Sequence, residues 1–306
     1  MILCCGEALI DMLPRRTEDG GDAFQPFAGG AVFNTAIALG RLGTETSVFT
    51  GLSSDLFGRI LSEKLEEAGV NGNLSVVTDR PTTLAFVTLN NGHASYAFYD
   101  ENTAGRMLVP EDLPVLPAKP KALFFGGISL AVEPCASAYE ALCLREAGTS
   151  LIMIDPNIRP GFIADEARYR ARLSRMIAAA DIIKVSDEDL AWIAKSDATH
   201  EAVEFLLGSG PSVVLVTFGS EGAHAYTQSY SVDVPATRVE VVDTVGAGDT
   251  FNAGFLAGLD RQNAVAKAGI ADIERPVLET AISLGISAAA VTVARAGANP
   301  PWANEL

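Results

Sequence analysis

Six short apolar runs punctuate the chain: "MILCC" at 1–5, "SVFTGL" at 47–52, "ALFFGG" at 122–127, "LIMID" at 151–155, "DIIKV" at 181–185 and "SVVLVT" at 212–217. Runs with so little polar alternation suit strands covered on both faces. Between most of them lie helix-like stretches: "VFNTAIALGRLG" (32–43), "DLFGRILSEKLEEAG" (55–69) and "CASAYEALCLREAG" (135–148). Strand–helix alternation predicts an α/β fold, with a central, mostly parallel sheet and helices on both faces. The last third turns more helical, with 249–260 and 277–294 as the strongest segments.

One section departs from this rhythm. "TTLAFVTLNNGHASYAFY" at 82–99 is two β-rich runs flanking Asn91-Gly92, a strong hairpin signal. A hairpin inserted into a parallel α/β chain forms a flap or edge sheet more readily than a piece of the main core. The expectation is a single α/β domain over 1–306 with a small β-sheet lid built from about 12–27 and 74–108. Pro110, Pro114, Pro117 and Pro120 then punctuate the return to the main sheet.

The balance of 22 basic and 38 acidic side chains gives a formal charge of −16. Such a surface repels phosphate backbones and anionic lipids, which argues against nucleic-acid and membrane partners. A few local donors can still hold a small anion at short range. Cys4, Cys5, Cys135 and Cys143 form neither zinc-type spacing nor a disulfide framework, which favours a reducing compartment. "MILCCGEALIDMLP" lacks a basic leader region and reads as a first buried strand. With no stretch read as long and apolar enough to span a membrane, the expectation is a cytoplasmic protein.

Familiar nucleotide motifs are absent. No lysine follows a glycine, so there is no Walker A loop, and G-x-G-x-x-G fails because Gly246 and Gly248 are followed by Phe251. "VDTVGAGDTFNAGF" (242–255) offers another route. Gly246, Ala247 and Gly248 let a ligand approach closely, and the free N–H groups opening the following helix make an anion site. Such donors suit the β- and γ-phosphates of a nucleotide, and Asp249 could then orient an acceptor hydroxyl and take its proton. An ordinary first-turn acid that favours the helix dipole fits the same residues equally well.

A second glycine cluster, "AGGAVFNTAIALGRLG" (28–43), places Gly29, Gly30 and Asn34 at a helix start, as ligand contacts or as a plain tight turn. Three strand ends also carry polar groups: Asp155, Asn157 and Arg159; Lys184 followed by Ser186, a good helix N-cap; and Thr217, Gly219 and Gly222. In open α/β sheets ligands bind beyond the carboxyl ends of strands, so these loops are expected to converge.

Together these segments resemble the ribokinase/PfkB family of carbohydrate kinases over essentially the whole chain. "GGAVFNTAIALGRLG" looks like its N-terminal signature, apart from Val32 where proline is common, and "DTVGAGDTFNAGF" looks like its C-terminal one. The resemblance implies a ribokinase-like three-layer fold and ATP-dependent phosphorylation of a primary sugar hydroxyl, with Mg²⁺. Asp249 would be the base, and the amides of Gly246, Ala247 and Gly248 the anion hole. Asp11, Gly29, Gly30 and Asn34, with Phe98 and Asp100 from the lid, would meet the sugar, and Arg159 the sugar or a phosphate. Lys184, Ser186, Thr217, Gly219 and Gly222 would bind ATP. Where the family commonly has N-x-x-E near the magnesium, this chain has "SDED", Ser186 to Asp189. Relatives often hold a monovalent cation such as K⁺, here beside Asp243 and Val245 with the chain near 294–299, and several dimerise through the lid.

The resemblance also bears on the sugar. Family members acting on 2-keto-3-deoxygluconate carry an arginine toward the substrate carboxylate after the second lid strand, where this chain reads "FYDENTAGRML" with Asp100. An aspartate repels a sugar acid and accepts hydroxyl hydrogen bonds. A neutral ketose, fructose first, is therefore expected, although Arg106 could swing inward to serve a carboxylate. The alternatives are a 2-keto-3-deoxygluconate or nucleoside kinase and, in a different class, a silent sugar- or nucleotide-sensing protein.

Overall fold

The computed structural model of the chain describes residues 1–90 and 93–306, and side chains outside 88–96; the Asn91-Gly92 hairpin signal lies outside the described residues. The chain runs β1 (Ile2–Cys5), β2 (Leu9–Arg16), β3 (Asp22–Gly29), α1 (Ala31–Arg41), β4 (Thr46–Phe49), β5 (Gly51–Ser53) and α2 (Leu56–Glu67). It continues through β6 (Val76–Thr78), β7 (Leu84–Asn90), β8 (His93–Tyr99), β9 (Ala122–Gly126), α3 (Cys135–Glu146), β10 (Leu151–Asp155), α4 (Glu166–Ala179) and β11 (Ile182–Ser186). The last part is α5 (Asp187–Ala194), α6 (Thr199–Ser209), β12 (Val213–Thr217), β13 (Ala223–Tyr226), β14 (Ser231–Val234), α7 (Ala247–Arg261) and α8 (Arg275–Val293).

The main sheet has the order β14-β13-β12-β11-β10-β9-β1-β4, parallel from β12 to β4, with β13 and β14 as an antiparallel edge. Its apolar runs are continuous because successive side chains enter opposite cores. Ile2, Cys4, Met153 and Leu215 pack with α1, α7 and α8, while Leu3, Cys5, Ile154 and Val216 pack with α3, α4 and α6. This is the expected α/β architecture. One run divides: "SVFTGL" leaves the main sheet after Phe49, and Gly51–Ser53 pairs instead with Val76–Thr78.

A second sheet, β3-β2-β7-β8, stands apart from the first, with β2 parallel to β7 and its other pairs antiparallel. Alternation along β8 sends Phe98 and Tyr99 to opposite faces. Phe98 packs edge-on against Phe162, in the turn after β10, with ring centroids 4.6 Å apart.

The expectation that no stretch is long and apolar enough to cross a membrane is corrected by α8. It has 19 residues and a mean hydropathy of 1.5 over its most apolar window. Its apolar face is occupied by protein, since Leu278, Ala281, Ile282 and Ile286 are buried in the core with α7. A Cβ on Gly254 of α7 would sit 2.7 Å from Gly285 Cα, a measure of how closely the two helices approach.

Candidate active site

The loop before α7 is shaped for close approach. Gly246 caps the helix at φ 77°, a left-handed conformation that favours glycine, and a Cβ there would meet that of Ala298 at 2.7 Å. No side chain caps α7, which leaves first-turn N–H groups for a ligand. The Ala247 N–H makes only a long 3.3 Å bond to the Thr244 carbonyl.

Asp249 sits in that first turn and is 7% exposed. Its Oδ2 accepts a 2.9 Å hydrogen bond from Asn34 Nδ2, and its main-chain carbonyl accepts one from Thr35 Oγ1 at 3.2 Å. Helix α1 therefore holds the acid from both sides. Burial pushes the Asp249 carboxyl up to about 7; Asp155 and Glu7 add to the rise, while the Asn34 bond and Lys184 oppose it. Asp11, on β2, is likewise pushed up by burial to about 6. A carboxylate poised near neutrality is suited to taking a proton from an alcohol.

Two cavities meet here. The smaller, about 340 Å³, is lined by Asp11, Gly30, Asn34, Phe98, Asn157, Arg159, Lys184 and the 244–249 loop. The larger, about 550 Å³, is lined by Thr217, Gly219, Gly222, Val239, Val241, Phe251 and apolar positions of α8. Thr244, Ala247 and Gly248 belong to both, so the start of α7 forms the wall between them, with Asp249 on the smaller side. The first offers hydrogen-bonding groups on several walls; the second is mainly an apolar slot.

Beneath the wall lies a buried polar cluster. Lys184 Nζ is 3.0 Å from Asp155 Oδ2, both side chains being almost fully buried, and a Cβ on Gly248 would come 3.1 Å from that ammonium. Asn252 Nδ2 donates to the same Asp155 oxygen at 2.7 Å. Asp189 accepts the Ile158 N–H at 3.1 Å, and burial, then the Asp155 charge, raises its carboxyl.

Most residues expected at the site line one cavity or the other, but Gly29, Ser186, Asp243 and Asp100 do not. Gly29 backs the Asp11 carboxylate, leaving no room for a side chain. The Ser186 hydroxyl caps α5 by accepting the Asp189 N–H at 3.0 Å. Asp243 accepts the N–H groups of Val245 (3.0 Å) and Gly297 (2.9 Å), which joins the two segments expected to flank a cation. Asp100, expected to meet the sugar, is buried outside the cavity lining and pairs with Arg106 at 2.9 Å. Arg106 also donates Nε to the Glu133 carbonyl at 3.1 Å, so it is held away from an incoming carboxylate.

Some site residues escaped the sequence reading. Thr244 touches both cavities, Asn252 is wholly buried under Asp249, and Glu7 lines the smaller cavity. A charged residue breaking the first apolar run, and an asparagine three positions beyond Asp249 on an apolar helix, were the available signals.

Known proteins agree with this architecture. The chain is 53% identical over 278 residues to a fructokinase from Rhizobium leguminosarum bv. trifolii, covering 91% of this chain and 85% of that one. It superposes on a fructokinase from Xylella fastidiosa solved with bound ATP at a TM-score of 0.87 and 31% identity, covering 97% and 93% of the two chains. It also matches the aminoimidazole riboside kinase of Salmonella enterica, complexed with aminoimidazole riboside and an ATP analogue, at a TM-score of 0.83 and 25% identity over 99% and 97%. A family model described as pfkB family carbohydrate kinase matches residues 1–305. The chain belongs to the pfkB family of carbohydrate kinases.

Proposed function

We propose that the chain is an ATP-dependent fructokinase, phosphorylating a primary hydroxyl of fructose. The observation that carries this reading is the placement of Asp249 where a polar, sugar-sized cavity meets an apolar, nucleotide-sized one across the start of α7. The base of ATP would fill the apolar slot, and its terminal phosphates would lie on the α7 N–H groups beside Lys184. Fructose would be held by Asp11, Asn34 and Arg159. Asp249 takes the hydroxyl proton as the sugar oxygen bonds to the γ-phosphorus and the bond to the β–γ bridging oxygen breaks. The N–H groups and Lys184 neutralise the charge that spreads over the transferring group.

The donor set fits a Mg²⁺ carried on the triphosphate. Among the described residues no group of three His, Cys, Asp or Glu could hold a metal, so phosphate oxygens and water would be its ligands. The metal's contribution is to neutralise phosphate charge. A monovalent cation would sit against the 243–246 loop on main-chain carbonyls, because Asp243 spends both oxygens on N–H groups. Replacing K⁺ by tetramethylammonium is expected to lower kcat several-fold, measured by coupled ADP release; an unchanged kcat removes this site.

Fructose is favoured over a sugar acid because Arg106 is tied to Asp100 and to the Glu133 carbonyl. ADP release with a panel of fructose, other hexoses, 2-keto-3-deoxygluconate and aminoimidazole riboside is expected to give fructose the highest kcat/KM. Ligand binding with no ADP from any sugar would instead indicate a sensor. The second sheet acts as the lid of this one kinase domain, closing over the sugar to exclude water.

The lid's outer face carries Phe24, Phe86 and Tyr99 in an edge-on row, with Tyr99 64% exposed. That row supports a homodimer through the lid. Light scattering is expected to give twice the 32.1 kDa chain mass, and a monomer would refute it. Four buried free cysteines and the need for ATP support a cytoplasmic location.

A further inference from the structure

We propose that Glu7 is a positioning residue for phosphoryl transfer: it caps α1 from outside that helix and thereby holds Asn34 against the Asp249 carboxylate. This rests on the kinase reading and deepens it. Helix α1 starts from Gly30, which has no side chain with which to cap it. Glu7, in the turn between β1 and β2, does so by direct contact. The Ala31 N–H donates to its Oε1 at 2.9 Å, and the Phe33 N–H donates to its main-chain carbonyl at 3.3 Å. These are two of the donors that a helix start leaves unpaired. The other carboxylate oxygen accepts the Ser129 N–H at 3.3 Å, tying α1 to the turn after β9. That turn is built around the carboxylate. Gly127, at φ 69°, has no room for a Cβ beside Oε1.

Asn34 lies three residues beyond Ala31, and Thr35 follows it; both bond to Asp249. Moving the start of α1 therefore moves the groups that aim the base. An error of about 1 Å in such placement can reduce turnover by about 10²-fold. When ionised, the Glu7 carboxylate also acts on the base directly, although burial raises its own carboxyl. The groups that bear on Asp249 are Asn34 from α1, Asp155 from β10, Lys184 from β11 and Glu7; like Asp155, Glu7 favours the protonated acid. Glu7 thus supports proton acceptance in two ways, one geometric and one electrostatic.

The test compares full-length wild type, Glu7→Gln and Glu7→Ala. Steady-state kinetics are measured over about pH 5 to 9. In addition, the ligand-free Asp249 carboxyl is titrated by carbon-13 NMR, assigned by its loss in Asp249→Asn. Glutamine keeps an acceptor for the Ala31 N–H but loses the charge. Its acid limb and the Asp249 titration are expected to move to lower pH, while KM for fructose stays within about threefold. Alanine loses both functions, and kcat is expected to fall about tenfold or more with KM for ATP unchanged. The proposal is overturned by an unshifted titration in Glu7→Gln, or by wild-type kcat in Glu7→Ala. A raised fructose KM at constant kcat also overturns it, by making Glu7 a direct sugar ligand. If Glu7→Ala fails to fold, the Glu7→Gln titration decides. If the wild type phosphorylates no sugar, the functional reading fails while the titration still tests Glu7.

Discussion

Asp249→Asn is expected to lower kcat by about 10²–10⁴-fold, the range for loss of a positioned general base, with little change in the binding of fructose or ATP. The geometry explains why binding survives. The new amide oxygen still accepts from Asn34 Nδ2, and Thr35 still reaches the main-chain carbonyl. In the wild type kcat/KM should rise with pH through about 7, because burial has moved the carboxyl of the free enzyme there. The same shift destabilises the fold. Below about pH 4 the acid is protonated in both folded and unfolded chains and contributes nothing. As pH rises towards 7 only the unfolded chain ionises, and folding stability falls; above 7 the penalty is constant. A rise from 3.8 to about 7 corresponds to about 4 kcal/mol as an upper bound. Asp249→Asn should therefore be more heat-stable than the wild type at pH 8 and indistinguishable from it near pH 4. Scanning calorimetry at the two pH values checks this. Loss of activity with loss of stability at pH 8 would mean that the asparagine disturbs the fold.

The second large effect is expected at Lys184. Lys184→Met removes the ammonium beside the start of α7 and leaves Asp155 buried with only the Asn252 amide and the Asn157 N–H as donors. Removing one partner of a buried ion pair costs about 3–5 kcal/mol, because the remaining charge is uncompensated. Turnover should fall by about 10²–10³-fold as well, through lost stabilisation of the transferring phosphoryl group. The double variant Lys184→Met/Asp155→Asn separates the two effects. It eliminates the unpaired charge, so stability should recover while turnover stays low. Recovery of both would assign Lys184 a purely structural role.

The main sheet was legible because strands covered on both faces must be apolar at every position, as Ile2 to Cys5 and Val213 to Val216 are. The start of α7 was legible for a related reason. A loop that must approach a ligand closely and then open a helix concentrates its glycines and its acid in consecutive positions. Contacts made through space were not. Nothing in the sequence around Asp100 says that it is buried against Arg106, or that Arg106 reaches the Glu133 carbonyl. Glu7 follows the first apolar run without belonging to any motif, and its partners, Ala31 and Ser129, lie 24 and 122 residues away. Helix α8 shows the opposite limit. Its composition suits a membrane as well as a core, and only its packing on α7 distinguishes them.

The central claim is that Asp249 faces the sugar hydroxyl that attacks the triphosphate. A crystal structure with fructose and a non-hydrolysable ATP analogue tests it most directly. The account predicts a primary hydroxyl oxygen about 2.6–3.2 Å from the Asp249 carboxylate, with the γ-phosphate on the α7 N–H groups. A sugar bound with no hydroxyl within reach of that carboxylate, or a triphosphate directed away from α7, would contradict it.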